Sequence, residues 1–142
     1  MTLINCKVKS ALFVLGCLLT CLPTVGNAQN DEQANVQRVV DQFFAAFQQK
    51  DLSSAMALWS GNSPDLTYGR QLLQHTFAAY RTIELKNVRV NKITFDKDNA
   101  TVQLTAELTV VDTMGGRSAT PLQMIRTMQM VRETGVWKIW NI

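Results

Sequence analysis

Few side chains in this sequence are of types that carry out chemistry, and those types narrow what the chemistry could be. His75 is the single histidine, and the three cysteines, Cys6, Cys17 and Cys21, all fall within the first 28 residues. A zinc site needs three or four nitrogen, sulfur or carboxylate ligands held together, so no metal is expected after that segment. No motif indicates a cofactor either.

Arg126 is the most unusual charged residue. It stands between Met124 and Met128 on the side of a predicted strand that should face the core. A guanidinium there needs a carboxylate partner or a bound anion. Two simpler explanations stay open: an ion pair with Glu107 or Asp112, or a strand register that differs by one residue and turns Arg126 outward.

The tryptophans suggest where a ligand would bind. Trp59, Trp137 and Trp140 are interpreted as core residues, with cavity lining as the alternative. A cavity lined by tryptophan and methionine suits a small apolar ligand. The predicted lining residues are Trp59, Tyr80, Arg126, Met128 and Trp137.

Three helices are predicted ahead of these strands. Apolar residues recur at intervals of three and four in the first helix: Val36, Val39, Val40, Phe43, Phe44 and Phe47. This stripe predicts an amphipathic helix over about 36–49, and residues 29–35 are expected to form a flexible lead-in. Asp51 can cap a second short helix, and Ser63-Pro64 is typical of the start of a third.

Beyond Arg81 the apolar period changes from helix to strand. Four strands are predicted, at about 83–95, 100–110, 122–132 and 136–140. The first reverses its apolar face at Val88 and Val90, so it is expected to contain a bulge. Three helices followed by an antiparallel meander indicate an α+β fold, with the helices covering one face of a strongly curved sheet.

The beginning of the chain has the pattern of an export signal. Lys7 and Lys9 precede an apolar run over 11–22, and Gly26-Asn27-Ala28 supplies small residues for a signal peptidase. We expect a signal peptide over 1–28 and a single domain over 29–142, exported from a bacterium. A lipoprotein cleaved before Cys17 is the rival interpretation. No later run is long enough to span a membrane.

The net charge of the chain and the surface of its predicted sheet indicate which partners it could bind. Without the leader the chain keeps 12 basic and 11 acidic side chains, a net charge of +1, which argues against nucleic acid. The outward side of the second and third strands is weakly charged and includes Ile125, Thr127 and Val131. That surface suits a homodimer, with a solvated monomer as the alternative.

The helix and strand order, with the segments 43–47, 50–52 and 135–140, resembles the nuclear transport factor 2-like (NTF2-like) superfamily. The resemblance implies a cone formed by the helices and a strongly bent sheet. The superfamily includes ketosteroid isomerases, scytalone dehydratase, SnoaL-like polyketide cyclases and many non-catalytic binding domains. The nearest resemblance is to secreted bacterial domains of unassigned role.

The resemblance also implies which residue types a catalytic site would need. Catalytic members use a carboxylate base, or a histidine–aspartate pair, with tyrosine hydroxyls at an oxyanion. Asp112, Tyr68, Tyr80 and His75 have the right types. No complete catalytic set maps onto them, since Asp112 is most simply a turn residue and His75 lies on a polar helix face. We therefore expect a non-enzymatic domain that binds a small ligand or a protein, with a small lyase or isomerase as the alternative.

Overall fold

The computed structural model describes residues 25–116 and 120–142, with side chains from residue 29 onward. The predicted signal peptide lies almost wholly outside this part of the chain. The elements are α1 (Val25–Gln48), α2 (Leu52–Ala57), α3 (Leu66–Ala79), β1 (Tyr80–Asp96), β2 (Asn99–Asp112), β3 (Leu122–Glu133) and β4 (Val136–Asn141). The strands form one antiparallel sheet in the order β1-β2-β3-β4, and the helices pack on it. The predicted α+β fold with a curved sheet is confirmed.

Helix α1 buries the predicted stripe but is longer than predicted. Phe43 and Phe44 are buried, and Phe47 packs against the core they enter. The expected flexible lead-in is wrong, because α1 runs from Val25 and residues 29–35 are helical. Side-chain contacts of Glu32 with the sheet hold that part of the helix in place.

The predicted cap of α2 is confirmed and that of α3 is not. The Asp51 carboxylate accepts a hydrogen bond from the backbone amide of Ser54 at 3.0 Å. Helix α3 begins only at Leu66, and the residue before it, Asp65, makes no side-chain cap. The Ser63 hydroxyl accepts from the Asp65 amide at 3.1 Å and donates to the backbone oxygen of Trp140 at 2.5 Å. Ser63 therefore ties the start of α3 to β4.

Strand β1 contains the predicted irregularity. Register shifts fall between Lys86 and Arg89 and between Val90 and Lys92, and Asn87 has a φ of 52°. These shifts return Val90 to the same face as the buried residues of β2, where it pairs with Leu104. We call this helix-covered side of the sheet the inner face and the opposite side the outer face.

A short element that the sequence did not predict borders β4. Trp59 forms an isolated parallel bridge with Ile139. The Ser60 amide donates to the Ile139 oxygen at 2.8 Å, and the Ile139 amide donates to the Leu58 oxygen at 2.8 Å. Trp59 thus lies beyond the end of α2 and anchors the edge of the sheet. None of the helices within the described ranges is long and apolar enough to cross a membrane.

Candidate functional site

The inner face of the sheet is left open at the start of β3. Leu122 is 54% exposed, Met124 is half-buried and Arg126 is exposed, although all three project from the inner face. The helices pack mainly against β1 and β4, and β4 pairs with β3 only over Gln129–Glu133. The part of β3 before Gln129 therefore receives little cover. We call Leu122, Met124 and Arg126 the open strip.

Arg126 lies on the predicted face but is not buried. Its register partner is Leu104, which is fully buried, so the alternative register that would turn Arg126 outward is wrong. Its Nη1 donates to the backbone oxygen of Ile125 at 3.1 Å. The proposed pairs are also absent, because Glu107 accepts from Asn87 and Gln123 instead. Among the described residues no carboxylate faces Arg126 within ion-pair distance.

The other predicted lining residues occupy different environments. Met128, Trp137 and Trp59 are buried in the core, with exposed fractions of 0%, 3% and 7%. Tyr80 is half-buried at the start of β1, and its backbone oxygen accepts a hydrogen bond from Lys50 Nζ at 2.7 Å. Of the five, only Arg126 presents its side chain to solvent at the open strip.

Trp59 carries a buried donor with an unusual environment. Its Nε1 has no hydrogen-bond partner in the described part of the chain. Its ring lies directly on the backbone of Gly69, where a Cβ would come within 2.6 Å of Cη2. Gly69 therefore makes room for this ring on α3.

A polar cluster fixes the beginning of α1 to the hairpin of β3 and β4. Glu32 accepts hydrogen bonds at 2.6 Å from Arg132 Nη1 and at 2.6 Å from the Nε1 of Trp137. Arg132 also contacts Asp98, at 3.0 Å through Nε and 2.9 Å through Nη2. The hydrogen bond that Arg132 donates to Asp98 and the charge of Glu32 raise the pKa of the Arg132 guanidinium. The cluster is structural, since each polar group is already paired.

Glu133, the next residue of β3, forms a second set of hydrogen bonds to a distant segment. Glu133 accepts from the buried Ser60 hydroxyl at 2.6 Å and from Asn62 Nδ2 at 3.1 Å. These hydrogen bonds, that from Ser60 first, lower the pKa of Glu133 below its ordinary value of 4.5. The loop before α3 is thereby held to the β3–β4 hairpin.

A concave region that was not predicted from the sequence lies on the outer face. It is a cavity of about 320 Å³ around Trp140, and its other polar lining residues are Thr94, Asp96, Asn99, Thr101 and Gln129. Its amide, hydroxyl and carboxylate groups can bond to a polar ligand. The alternation of β4 could have revealed it, because Trp137 and Ile139 point inward and Trp140 must then point outward.

Residues 38–142 match the family described as the C-terminal domain of anti-sigma-I factor RsgI9. The chain belongs to this family. The match begins after Glu32, so the polar cluster at the beginning of α1 joins residues on both sides of that boundary.

Solved structures share the fold. A conserved protein from Planctomyces limnophilus DSM 3776 superposes with a TM-score of 0.67 at 13% identity, covering 78% of this chain and 92% of that one. A ketosteroid isomerase-like protein from Erwinia carotovora atroseptica SCRI1043 gives 0.66 at 14% identity, with 78% and 92% covered. A candidate dehydratase of the NTF2-like family from Streptomyces avermitilis gives 0.62 at 15% identity, with 78% and 93% covered.

These identities are low enough that the likeness shows the fold alone. That shared fold is the NTF2-like fold, as the resemblance implied for this member of the RsgI9 C-terminal-domain family. No curated protein matches the chain significantly.

In this family member Asp112 and Tyr80 are register partners on β2 and β1, whereas His75 and Tyr68 lie on α3. Asp112 accepts hydrogen bonds from the backbone amides of Met114 and Gly116, both at 2.8 Å, so it is the turn residue that was expected. His75 is exposed on α3, and Tyr68 on the same helix is 66% exposed. Over residues 25–116 and 120–142, no three histidine, cysteine or acidic side chains are grouped so as to hold a metal ion.

Proposed function

We propose that this domain is a non-catalytic recognition domain that binds a small apolar anion at the open strip. The observation that supports the proposal most directly is the exposure of Leu122 and Arg126 on the inner face, whose other apolar residues are buried or half-buried. A contiguous apolar surface left open beside a single cation is a common form of binding site.

The physical chemistry of the strip favours a ligand with an apolar body and one negative group. Leu122 and Met124 offer apolar surface whose burial contributes about 25 cal/mol per Å². The Arg126 guanidinium forms paired, charge-assisted hydrogen bonds with a carboxylate or sulfonate, and these are stronger than its present bond to a backbone oxygen. An acid with a ring or an alkyl chain meets both requirements.

The arrangement of the other polar residues favours binding over catalysis. An isomerase or dehydratase mechanism needs a base and a hydroxyl that converge on one substrate. Asp112 is the register partner of Tyr80, but its carboxylate is occupied by turn amides, and His75 is exposed on α3. The isomerase and dehydratase names belong to the neighbours. A small lyase or isomerase is therefore the alternative function.

The family bears on the role of the domain, and the leader bears on where recognition takes place. The family is named for the C-terminal domain of an anti-sigma factor, a class of regulator. Lys7, Lys9 and the apolar run after them have the pattern of an export signal. We propose that the domain is exported and that it recognises its ligand outside the cytoplasm.

The test uses 8-anilinonaphthalene-1-sulfonate, an apolar anion whose fluorescence reports binding. The purified protein should bind the dye saturably, and Arg126→Gln should weaken binding about tenfold, the loss expected for one charge-assisted contact. Arg89→Gln is the matched control, because Arg89 is an exposed arginine of β1 on the outer face. Its dye affinity should equal that of the wild type.

Equal losses in the two variants, or no saturable binding, would contradict the proposal. Mass spectrometry of any small molecule retained on the purified protein provides the second arm. A retained apolar acid supports the recognition role, whereas a retained molecule that the protein converts chemically would establish the lyase or isomerase alternative instead.

A further inference from the structure

The outer face of the sheet carries a row of small polar side chains near the turn between β1 and β2. Thr94 pairs with Thr101, and Thr101 pairs with Gln129, so three neighbouring strands contribute one side chain each. Asp96 and Asn99 form the last pair before the turn and add a carboxylate and an amide. These five side chains line the outer-face cavity of about 320 Å³.

A β-bulge places Trp140 beside this row. Met130 pairs with Ile139 and Gln129 pairs with Asn141, so β4 advances two residues where β3 advances one. Trp140 is the extra residue, and it is half-buried against the lining of the cavity. Bulges commonly re-aim a side chain next to a functional site.

The six polar side chains that line the cavity have no polar partner in the fold. Within the described part of the chain, no hydrogen bond or ion pair joins any of these side chains to another residue. The polar residues around them are paired instead: Asp98 accepts from Arg132 at 3.0 Å, and Glu133 accepts from Ser60 at 2.6 Å. Polar groups that converge on a cavity without such partners can bind a ligand.

We propose that this cavity binds a neutral sugar of one or two rings. A sugar ring has an apolar C–H face, which matches the flat indole of Trp140, and a rim of hydroxyl groups that both donate and accept hydrogen bonds. The amide and hydroxyl side chains of the cavity supply both kinds of partner. Its volume is at the lower end of the range of about 300–1,000 Å³ for small-molecule sites, so the ligand is small.

The charge of the cavity argues against an ionic ligand. Among the described residues its lining includes one carboxylate, that of Asp96, and no cationic side chain. An anion would therefore meet a like charge with no compensating cation. A cation held between Asp96 and Trp140 is the competing occupant, but it has no acceptor for the amide and hydroxyl donors. A neutral polyhydroxylated ligand uses all of these groups.

The site is independent of the proposed function. Its strand residues project from the outer face, whereas the open strip lies on the inner face. Arg126→Gln should therefore leave sugar binding unchanged, and a failure of anion binding at the open strip would not affect this site.

Saturation-transfer NMR of the purified protein tests the proposal, with maltose, cellobiose and N,N′-diacetylchitobiose as the probes. At least one of these disaccharides should bind saturably. Trp140→Ala should weaken that binding about tenfold or more, whereas Trp140→Phe keeps a flat ring and should weaken it less. Gln129→Ala should weaken it about threefold to tenfold, the loss expected for a neutral hydrogen bond.

Gln103→Ala is the matched control, because Gln103 is an exposed glutamine of the outer face that does not line the cavity. It should bind the disaccharide as the wild type does, and circular dichroism should show that every variant is folded. No saturable binding of any disaccharide, or equal losses in Gln129→Ala and Gln103→Ala, would overturn the proposal. Binding of tetramethylammonium instead of the sugars, abolished by Asp96→Asn, would establish a cation site in its place.

Discussion

At the scale of single residues, Glu32 connects parts of the chain that are far apart in sequence. Its two carboxylate oxygens each accept a hydrogen bond of 2.6 Å, one from Arg132 and one from the indole of Trp137. Trp137 is buried, so its N–H has no access to bulk water as a replacement partner. A single acidic side chain therefore keeps the beginning of α1 folded onto the β3–β4 hairpin.

Replacement of Glu32 should therefore lower the free energy of unfolding. Glu32→Ala leaves the buried Trp137 N–H unpaired, which costs about 1–3 kcal/mol of unfolding free energy. Asp31→Ala removes an exposed acid one residue earlier and should change stability by less than about 0.5 kcal/mol. Urea unfolding monitored by tryptophan fluorescence measures both values. Equal stabilities would show that the cluster is not formed in solution.

The lowered pKa of Glu133 predicts that the stability of the fold depends on pH. Its hydrogen bonds from Ser60 and Asn62 lower its pKa in the folded state, so it stabilises the fold above the ordinary pKa of 4.5. That contribution is lost as the pH falls through the lowered value. Glu133→Gln should therefore be less stable than the wild type at about pH 7, and the gap should narrow by about pH 3. Urea unfolding at the two pH values would contradict this if the gap stays constant.

At the scale of elements, α3 is positioned by a close approach to the segment after α2. The Trp59 ring lies on the helix backbone at Gly69, and Trp59 itself is bridged to Ile139 of β4. Ser63 donates to the backbone of the same strand. The glycine therefore permits contact between a helix and the sheet edge at the cost of a weaker helix.

A methyl group at position 69 should destabilise the protein although alanine favours helices. In Gly69→Ala the new Cβ would stand 2.6 Å from Trp59 Cη2 and 2.8 Å from Cζ2, so the ring must move. We expect a loss of about 1–3 kcal/mol, larger than the propensity gain of up to about 1 kcal/mol. Gly61→Ala is the control, since a Cβ added at Gly61 would meet nothing within 4 Å. A thermal midpoint for Gly69→Ala at or above that of the control would contradict the packing.

At the scale of the whole molecule, the helices cover one side of a four-stranded meander unevenly. They pack mainly on β1 and β4, which leaves the start of β3 open on its inner face. The proposed ligand site at the open strip follows from this uneven cover, and Arg126→Gln tests it.

The proposed export is also tested on the whole chain. Cleavage after Ala28 would leave a mature protein that begins at Gln29 and keeps Glu32 with both of its contacts. Amino-terminal sequencing of the protein from its native host should therefore find Gln29 first. An intact Met1 would contradict export, and a lipid-modified Cys17 at the amino terminus would establish the lipoprotein alternative.

The sequence by itself determined the local structure, because local structure depends on period and on short-range hydrogen bonds. The apolar stripe with Phe43 and Phe44 required a packed helix, and Asp51 required a helix start. Two-residue alternation placed Arg126 and Met128 on one face of β3, and Asp112 marked a turn.

Only the tertiary structure decided which of these surfaces are covered, because cover depends on elements that are distant in sequence. Arg126 and Met128 share a face, yet one is exposed and the other fully buried, since β4 and the helices reach only the second half of β3. The helical state of residues 29–35 likewise depends on Arg132, which lies 100 positions beyond Glu32. Periodicity assigns a residue to a face, but the packing of remote elements determines whether that face meets protein or solvent.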